Sequence, residues 1–269
     1  MIKIIIISIT AGILVLFVIA LWPKVRFYAQ RLLQNPFVRA ILFRGLWRLM
    51  GLILFKKQQK EESGSMLTLY YCKKSCAYAP HILLHDAEAD FEVIHIDFDK
   101  GEQTSPEFLS INVKGRVPAL ATPNGILTEN PAILLYIAQM FPDKQLAPQD
   151  PFALAEAQAF NMFLASTVHV AHAHKHRGSR WADDKDALAS MTAKVAGNMA
   201  SYASLIESHY FKGPYVLGET YSLCDPYLAL ITRWLGPDGV SLDDYPKLKA
   251  HDALMKTRPS VKAILPLYE

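Results

Sequence analysis

Two cysteines frame a short basic turn, Cys72-Lys-Lys-Ser-Cys76, and a thiol in that setting is the clearest candidate for chemistry in the chain. Leu67 to Tyr71 reads as a strand, Cys72 to Ser75 as a tight turn, and a helix is expected to open at Cys76 and run through His81, Ile82 and Leu84. A cysteine in the first turn of a helix faces unpartnered backbone N–H groups and the positive end of the helix dipole. Lys73 and Lys74 add positive charge, so the sequence predicts a lowered thiol pKa and a thiolate at Cys76. Three residues separate the cysteines, against two in a dithiol redox motif, which argues against a disulfide mechanism between them. Cys72 and Cys224 are read as structural.

Other groups surround this turn in kind. Tyr71 ends the strand, and Ser75 stands next to Cys76, either capping the helix or offering its hydroxyl beside the thiol. His169, His172, His174 and His176 cluster further on, and 169, 172 and 176 share one helical face. That spacing invites a metal, but the nearest acids, Asp183 and Asp184, lie beyond Arg177, Arg180 and Trp181, so a cleft wall is preferred. An imidazole is useful near neutral pH, which makes His169 a site candidate. Arg177 and Arg180 are either solvated or face an acidic substrate.

The elements that must position these groups follow from pattern. Phe91 to Phe98 alternates as a strand, Pro106 to Ile111 makes one helical turn, and Gly115 to Ala121 reads as a strand entered through a Val-Pro bond. Asn124-Gly125 signals a hairpin to Ile126-Leu127, and Thr128-Glu-Asn130 caps a helix carrying Ile133, Leu134, Ile137 and Met140. The prolines of residues 142–151 mark a linker. Beyond Phe152 the pattern is helical, and Ser222-Leu-Cys-Asp225 has capping-box spacing ahead of an apolar helix from Tyr227 to Leu235. The expectation is an α/β domain over residues 66–142 and an all-α domain over 150–269.

Charge divides the chain. Of 28 Lys/Arg and 25 Asp/Glu, residues 1–65 hold 10 and 2, so the remainder is net −5 and the basic balance belongs to the N-terminal segment. No basic stripe interleaved with aromatics marks a nucleic-acid surface in that remainder. Three cysteines suit a reducing compartment. Residues 4–22 are uncharged over a length close to the roughly 20 residues of a membrane span. The competing reading is a signal peptide cleaved after Ala20, but the long apolar run and the dense basic sequence after it favour an uncleaved transmembrane anchor. Six Lys/Arg between residues 24 and 48 place the downstream part in the cytoplasm, tethered to the inner membrane by one pass. Residues 37–55 are apolar but carry Arg44 and Arg48 one turn apart, which suits an interfacial helix whose arginines snorkel, with a second or re-entrant span as the alternative. Residues 56–65 form a polar linker, and Met66 offers a second start.

With these motifs in order, residues 66–269 resemble the bacterial glutathione transferases, most similarly the beta class. The resemblance rests on Tyr71 with Ser75-Cys-Ala-Tyr-Ala-Pro-His81, Gly115-Arg-Val-Pro118, Leu127-Thr-Glu-Asn-Pro-Ala-Ile133 and the Ser222–Asp225 box. It implies a thioredoxin-like domain joined to an all-helical domain, a homodimer, and a glutathione site built from Arg116, Val117, Pro118, Glu129 and Asn130. The resemblance further implies a cis bond before Pro118, with the Val117 backbone pairing with the cysteinyl part of glutathione. Glu129 and Asn130 would hold its γ-glutamyl end, Cys76 would face its sulfur with Tyr71 and Ser75 nearby, and His169 would come from the helical domain. Asn130 stands where serine is commoner, Val170 where lysine is frequent, and Met162 where asparagine is, with Asn161 adjacent. The implied reaction is conjugation of glutathione to a small apolar electrophile at the membrane surface. Thiol exchange through Cys76 and a non-catalytic membrane-tethered binding module are the alternatives.

Overall fold

Strand β1 (Leu67–Tyr71) buries Leu67, Leu69 and Tyr71 on one face and turns Thr68 and Tyr70 to the other, the period-two pattern of a pleated strand. In the computed structural model, which describes residues 67–269, β1 lies inside a four-stranded sheet with β2 (Phe91–His95), β3 (Ala119–Thr122) and β4 (Gly125–Thr128). The order is β2-β1-β3-β4, with β2 parallel to β1 and the other two pairings antiparallel. A parallel return needs a crossover, which α1 (Tyr78–Asp86) supplies. Helices α1 and α3 (Asn130–Met140) share a buried cluster with Leu67, Leu69 and Tyr71. On the opposite face α2 (Pro106–Ile111) brings Phe108 to within 5.9 Å of the Tyr70 ring, beside Ile96 and Val117. This is the thioredoxin-like layering.

Four local expectations need correction. The helix opens at Tyr78, two residues after Cys76, because the Ser75 hydroxyl is committed to the turn: it donates to the Cys72 carbonyl (2.6 Å) and accepts from the Cys72 N–H (3.3 Å). Strand β2 stops at His95, since β1 ends at Tyr71 and the last bond between them runs from Ile96 N–H to the Tyr71 carbonyl (2.8 Å). Residues 115–118 form a loop, held by Asn112 Nδ2 donating to the Arg116 carbonyl (2.6 Å), and the Val117–Pro118 bond is cis. The hairpin pairs Thr122 with Gly125, leaving Pro123-Asn124 as its tip, and Gly125 takes the positive φ (126°) that favours glycine.

Residues 142–151 are packed rather than loose: Leu146 is buried and its carbonyl accepts from Leu223 N–H (2.8 Å). Asp150 then caps α4 (Pro151–Phe163) by accepting from the N–H groups of Phe152 and Ala153. A wider turn at Leu164–Val168 leads to α5 (His169–Arg177), which packs on α6 (Lys185–Leu205). Helix α7 (Asp225–Leu235) is buried on every side except at Arg233, and it crosses α1 together with α9 (Pro259–Ile264); α8 (Pro246–Thr257) lies between them in sequence. The Ser222–Asp225 box forms in altered shape. The Asp225 carboxylate accepts from Ser222 N–H (2.7 Å) as expected, but its own N–H goes to the Ser222 carbonyl, and Ser222 Oγ accepts from Cys224 N–H. Asp225 also accepts from Val216 N–H (2.8 Å) and meets His251 Nε2 (3.1 Å), so the box ties three segments together.

Arg258 joins the two layers by pairing with Asp86 at the end of α1 (2.9 Å) while lying 3.6 Å over the Tyr221 ring, whose hydroxyl also donates to Asp86. Among the described residues no helix is long and apolar enough to cross a membrane. The expected anchor at 4–22 and interfacial helix at 37–55 lie outside the described residues.

Candidate active site

A cleft of about 1400 Å³ opens where the β1–α1 turn, the loop before β3 and the start of α3 face α5 and α7. Ser75, Cys76, Arg116, Val117, Pro118, Glu129, Asn130 and His169 all line it. Tyr71 does not. Its ring is buried behind the wall, 5.3 Å from His95, 5.4 Å from Tyr268 and 6.0 Å from His81, and burial raises its phenol pKa. The hydroxyl of Ser75 faces back into its own turn, so the thiol is the better placed of the two groups.

The state of that thiol reverses the prediction. Cys76 Sγ donates to the Val117 carbonyl (3.5 Å), and burial pushes its pKa up to about 12, opposed by a backbone N–H bond and more weakly by Arg180 and Arg116. Because α1 begins at Tyr78, Cys76 lies outside the first helical turn, and Lys73 and Lys74 point into solvent. Desolvation of the anion therefore outweighs the positive charge nearby. At neutral pH Cys76 is a thiol and a hydrogen-bond donor.

Helix α3 presents its N-terminus to the cleft. Its N-cap, Glu129, makes no side-chain cap bond, so the first-turn N–H groups of Asn130 and Ala132 stay open, while Pro131 has none to offer. Glu129 holds φ 73°, uncommon for a residue with a side chain, and its carboxylate pairs with Lys114 at the rim. Asn130 also braces the cysteine turn. Its Nδ2 donates to the Cys76 carbonyl (2.9 Å), tying α3 to the cysteine turn, and its buried Oδ1 has no protein partner.

On the facing wall His169 lies 4.8 Å from the Trp234 ring, and burial, reinforced by His172 and Arg180, lowers its pKa to about 4. It is neutral at pH 7. His172 stacks on Trp234 at 4.0 Å and pairs through Nδ1 with the buried Asp238 carboxylate (2.6 Å). His169, His172 and His176 line the cleft, whereas His174 packs on Trp181. Val170 lines the cleft; Asn161 is buried in the core and Met162 points into solvent. Among the described residues no group of three His, Cys, Asp or Glu is arranged to hold a metal ion. Sequence reasoning missed Tyr227, Tyr78 and Tyr268, which complete the wall. Tyr78 lies inside the cysteine motif and Tyr227 directly follows the Ser222 box, so both had a local signal; Tyr268, whose hydroxyl meets His81 Nδ1 (3.1 Å), had none.

Relatives fit this arrangement. A family model for the glutathione S-transferase N-terminal domain matches residues 65–139. A glutathione transferase homolog from Sulfitobacter, solved with bound glutathione, is 45% identical, with a TM-score of 0.73 over 75% of this chain and 97% of that one. This chain belongs to the glutathione S-transferase family. The bacterial beta-class glutathione S-transferase of Sphingomonas chungbukensis is 31% identical, with a TM-score of 0.62 over 74% of this chain and 97% of that one. Glutathione S-transferase GstA of Escherichia coli O157:H7 is 26% identical over 202 residues, 74% of this chain and 97% of that protein. Within this family the chain's thioredoxin-like layer carries the cysteine turn, the cis-proline loop and the open helix end on one side of the cleft.

Proposed function

We propose that the protein conjugates glutathione to apolar electrophiles at the cytoplasmic surface of a membrane, to which residues 4–22 tether it. The transferase activity and the use of glutathione are the part shared with its relatives; the electrophile and the membrane placement are our reading. One observation carries it: the open N-terminus of α3, the cis Val117–Pro118 loop and the Cys76 thiol converge on one cleft.

The residues fit glutathione. Open N–H groups at a helix N-terminus suit its γ-glutamyl carboxylate, and the Glu129 carboxylate suits the adjacent ammonium. The Val117 backbone, at the edge of a loop, offers the cysteinyl peptide an added-strand partner. Cys76 then acts as a donor. Its S–H turns from the Val117 carbonyl to the glutathione sulfur and stabilises the anion that must attack. In the reaction the sulfur forms a bond to the electrophilic carbon, a leaving group such as chloride departs with the bonding pair, and the thiol proton passes to solvent. Thiol exchange through Cys76 itself would need its thiolate, which burial opposes. We take the working unit to be a homodimer.

Retention of the full chain, in detergent, on immobilised glutathione and its release by free glutathione tests the binding half of this reading. A chain that passes straight through the column leaves only a non-catalytic module.

A further inference from the structure

The described part of the chain is acidic overall, yet the cleft is rimmed by cations. Arg177 ends α5, Arg180 closes the short turn Gly178–Arg180 that follows, and Arg116 precedes the cis-proline loop. All three line the cleft, and none pairs with an acid among the described residues. They lie close enough that Arg116 and Arg177 repel the charge on Arg180, while Arg180 and Cys76 each feel the other. Aromatic rings stand near them: Arg177 lies 5.8 Å from the Phe98 ring, Trp234 packs on His169 at 4.8 Å, and Trp181 also lines the cleft. Solvated arginines gain nothing from gathering within mutual repulsion, and along the cleft Lys and Arg (73, 74, 114, 116, 177, 180, 233) outnumber the carboxylates (97, 99, 129, 269), a balance that favours an anion. The guanidinium fork matches a carboxylate in two bonds at once.

We propose that the electrophile taken by this site carries a carboxylate, which Arg177 and Arg180 hold while its apolar body lies toward His169 and Trp234. This deepens the transferase reading and rests on it. Glutathione has carboxylates of its own, but Arg177 and Arg180 come from the helical wall that bears His169, opposite the open end of α3. The rival is that these two arginines bind the glycyl carboxylate of glutathione.

Matched probes separate the two. The full chain conjugates 4-chloro-3-nitrobenzoate and its methyl ester by the same step: C–S bond formation, loss of chloride with its bonding pair, and release of the thiol proton to solvent. With each rate divided by its uncatalysed rate, the acid is preferred by about tenfold or more, a charge-assisted pair being worth roughly 1.5–3 kcal/mol. In Arg177→Met/Arg180→Met that ratio falls to about one, and Arg180→Lys recovers part of it. Unreactive 3-nitrobenzoate quenches tryptophan fluorescence through Trp181 and Trp234 in the wild type, less so in the double variant, and does this whether or not the chain turns over. An acid-to-ester ratio near one in the wild type, or a rise in the glutathione KM of the variant that matches its loss with both probes, overturns the proposal. Turnover of neither probe, with quenching intact, sinks the transferase reading and leaves the anion site standing.

Discussion

At the scale of single residues the decisive balance is desolvation against local charge. The Cys72–Cys76 turn is legible in the sequence as a place where a thiol meets positive charge, but how deeply Sγ is buried is a tertiary fact. Burial likewise raises Cys72 and Cys224, so all three thiols should titrate above the ordinary cysteine value of about 8.5. Titration of the thiolate absorbance near 240 nm in the free protein is expected to show no step below about pH 9; a step near pH 7 contradicts the burial argument. His81 gives a second test. Burial lowers its pKa to about 4, from the ordinary histidine value of about 6.5. The native state therefore binds fewer protons than the unfolded state across that interval, and stability is full above pH 6.5 and falls as pH drops toward 4. Urea unfolding of wild type should lose up to about 3 kcal/mol over that window from this group alone. His81→Phe should flatten the slope; an unchanged slope assigns it elsewhere.

At the scale of elements, strands and helices with strong periodicity were readable, and their ends were not. The start of α1 shifted because Ser75 bonds within its turn, a choice that spacing cannot show. The Ser222–Asp225 box was readable because its residues are local, but Val216 and His251, which complete it, come from elsewhere in the chain. Asp225→Ala leaves those buried groups unpaired and is expected to cost about 3–5 kcal/mol, measured by denaturant unfolding. A loss under 1 kcal/mol would reduce the box to an ordinary cap. Glu129 opposes stability to function: its positive φ is costly for a side-chain residue, and its carboxylate faces the cleft. Glu129→Gly should raise the melting temperature through a gain of up to about 1 kcal/mol while weakening glutathione several-fold. Weakened binding without stabilisation would place the backbone cost elsewhere.

At the scale of the whole molecule, the two-layer plan followed from the order of strands, helices and prolines, and the motifs pointed to the face between the layers. What joins those layers was hidden, because Asp86, Tyr221 and Arg258 are distant in sequence and ordinary in type. The same holds for Tyr268, which closes the wall behind Cys76 from the far end of the chain. On the function proposed above, this fold brings glutathione to a cleft where Cys76 serves as a donor to its sulfur. Steady-state conjugation of glutathione to 1-chloro-2,4-dinitrobenzene by wild type and Cys76→Ala tests it most directly. The wild type is expected to turn over and the variant to show a fall in kcat of about tenfold or more, since a hydrogen bond to a charged group is worth roughly 1.5–3 kcal/mol, with the glutathione KM little changed. Equal kcat in the two proteins would contradict it.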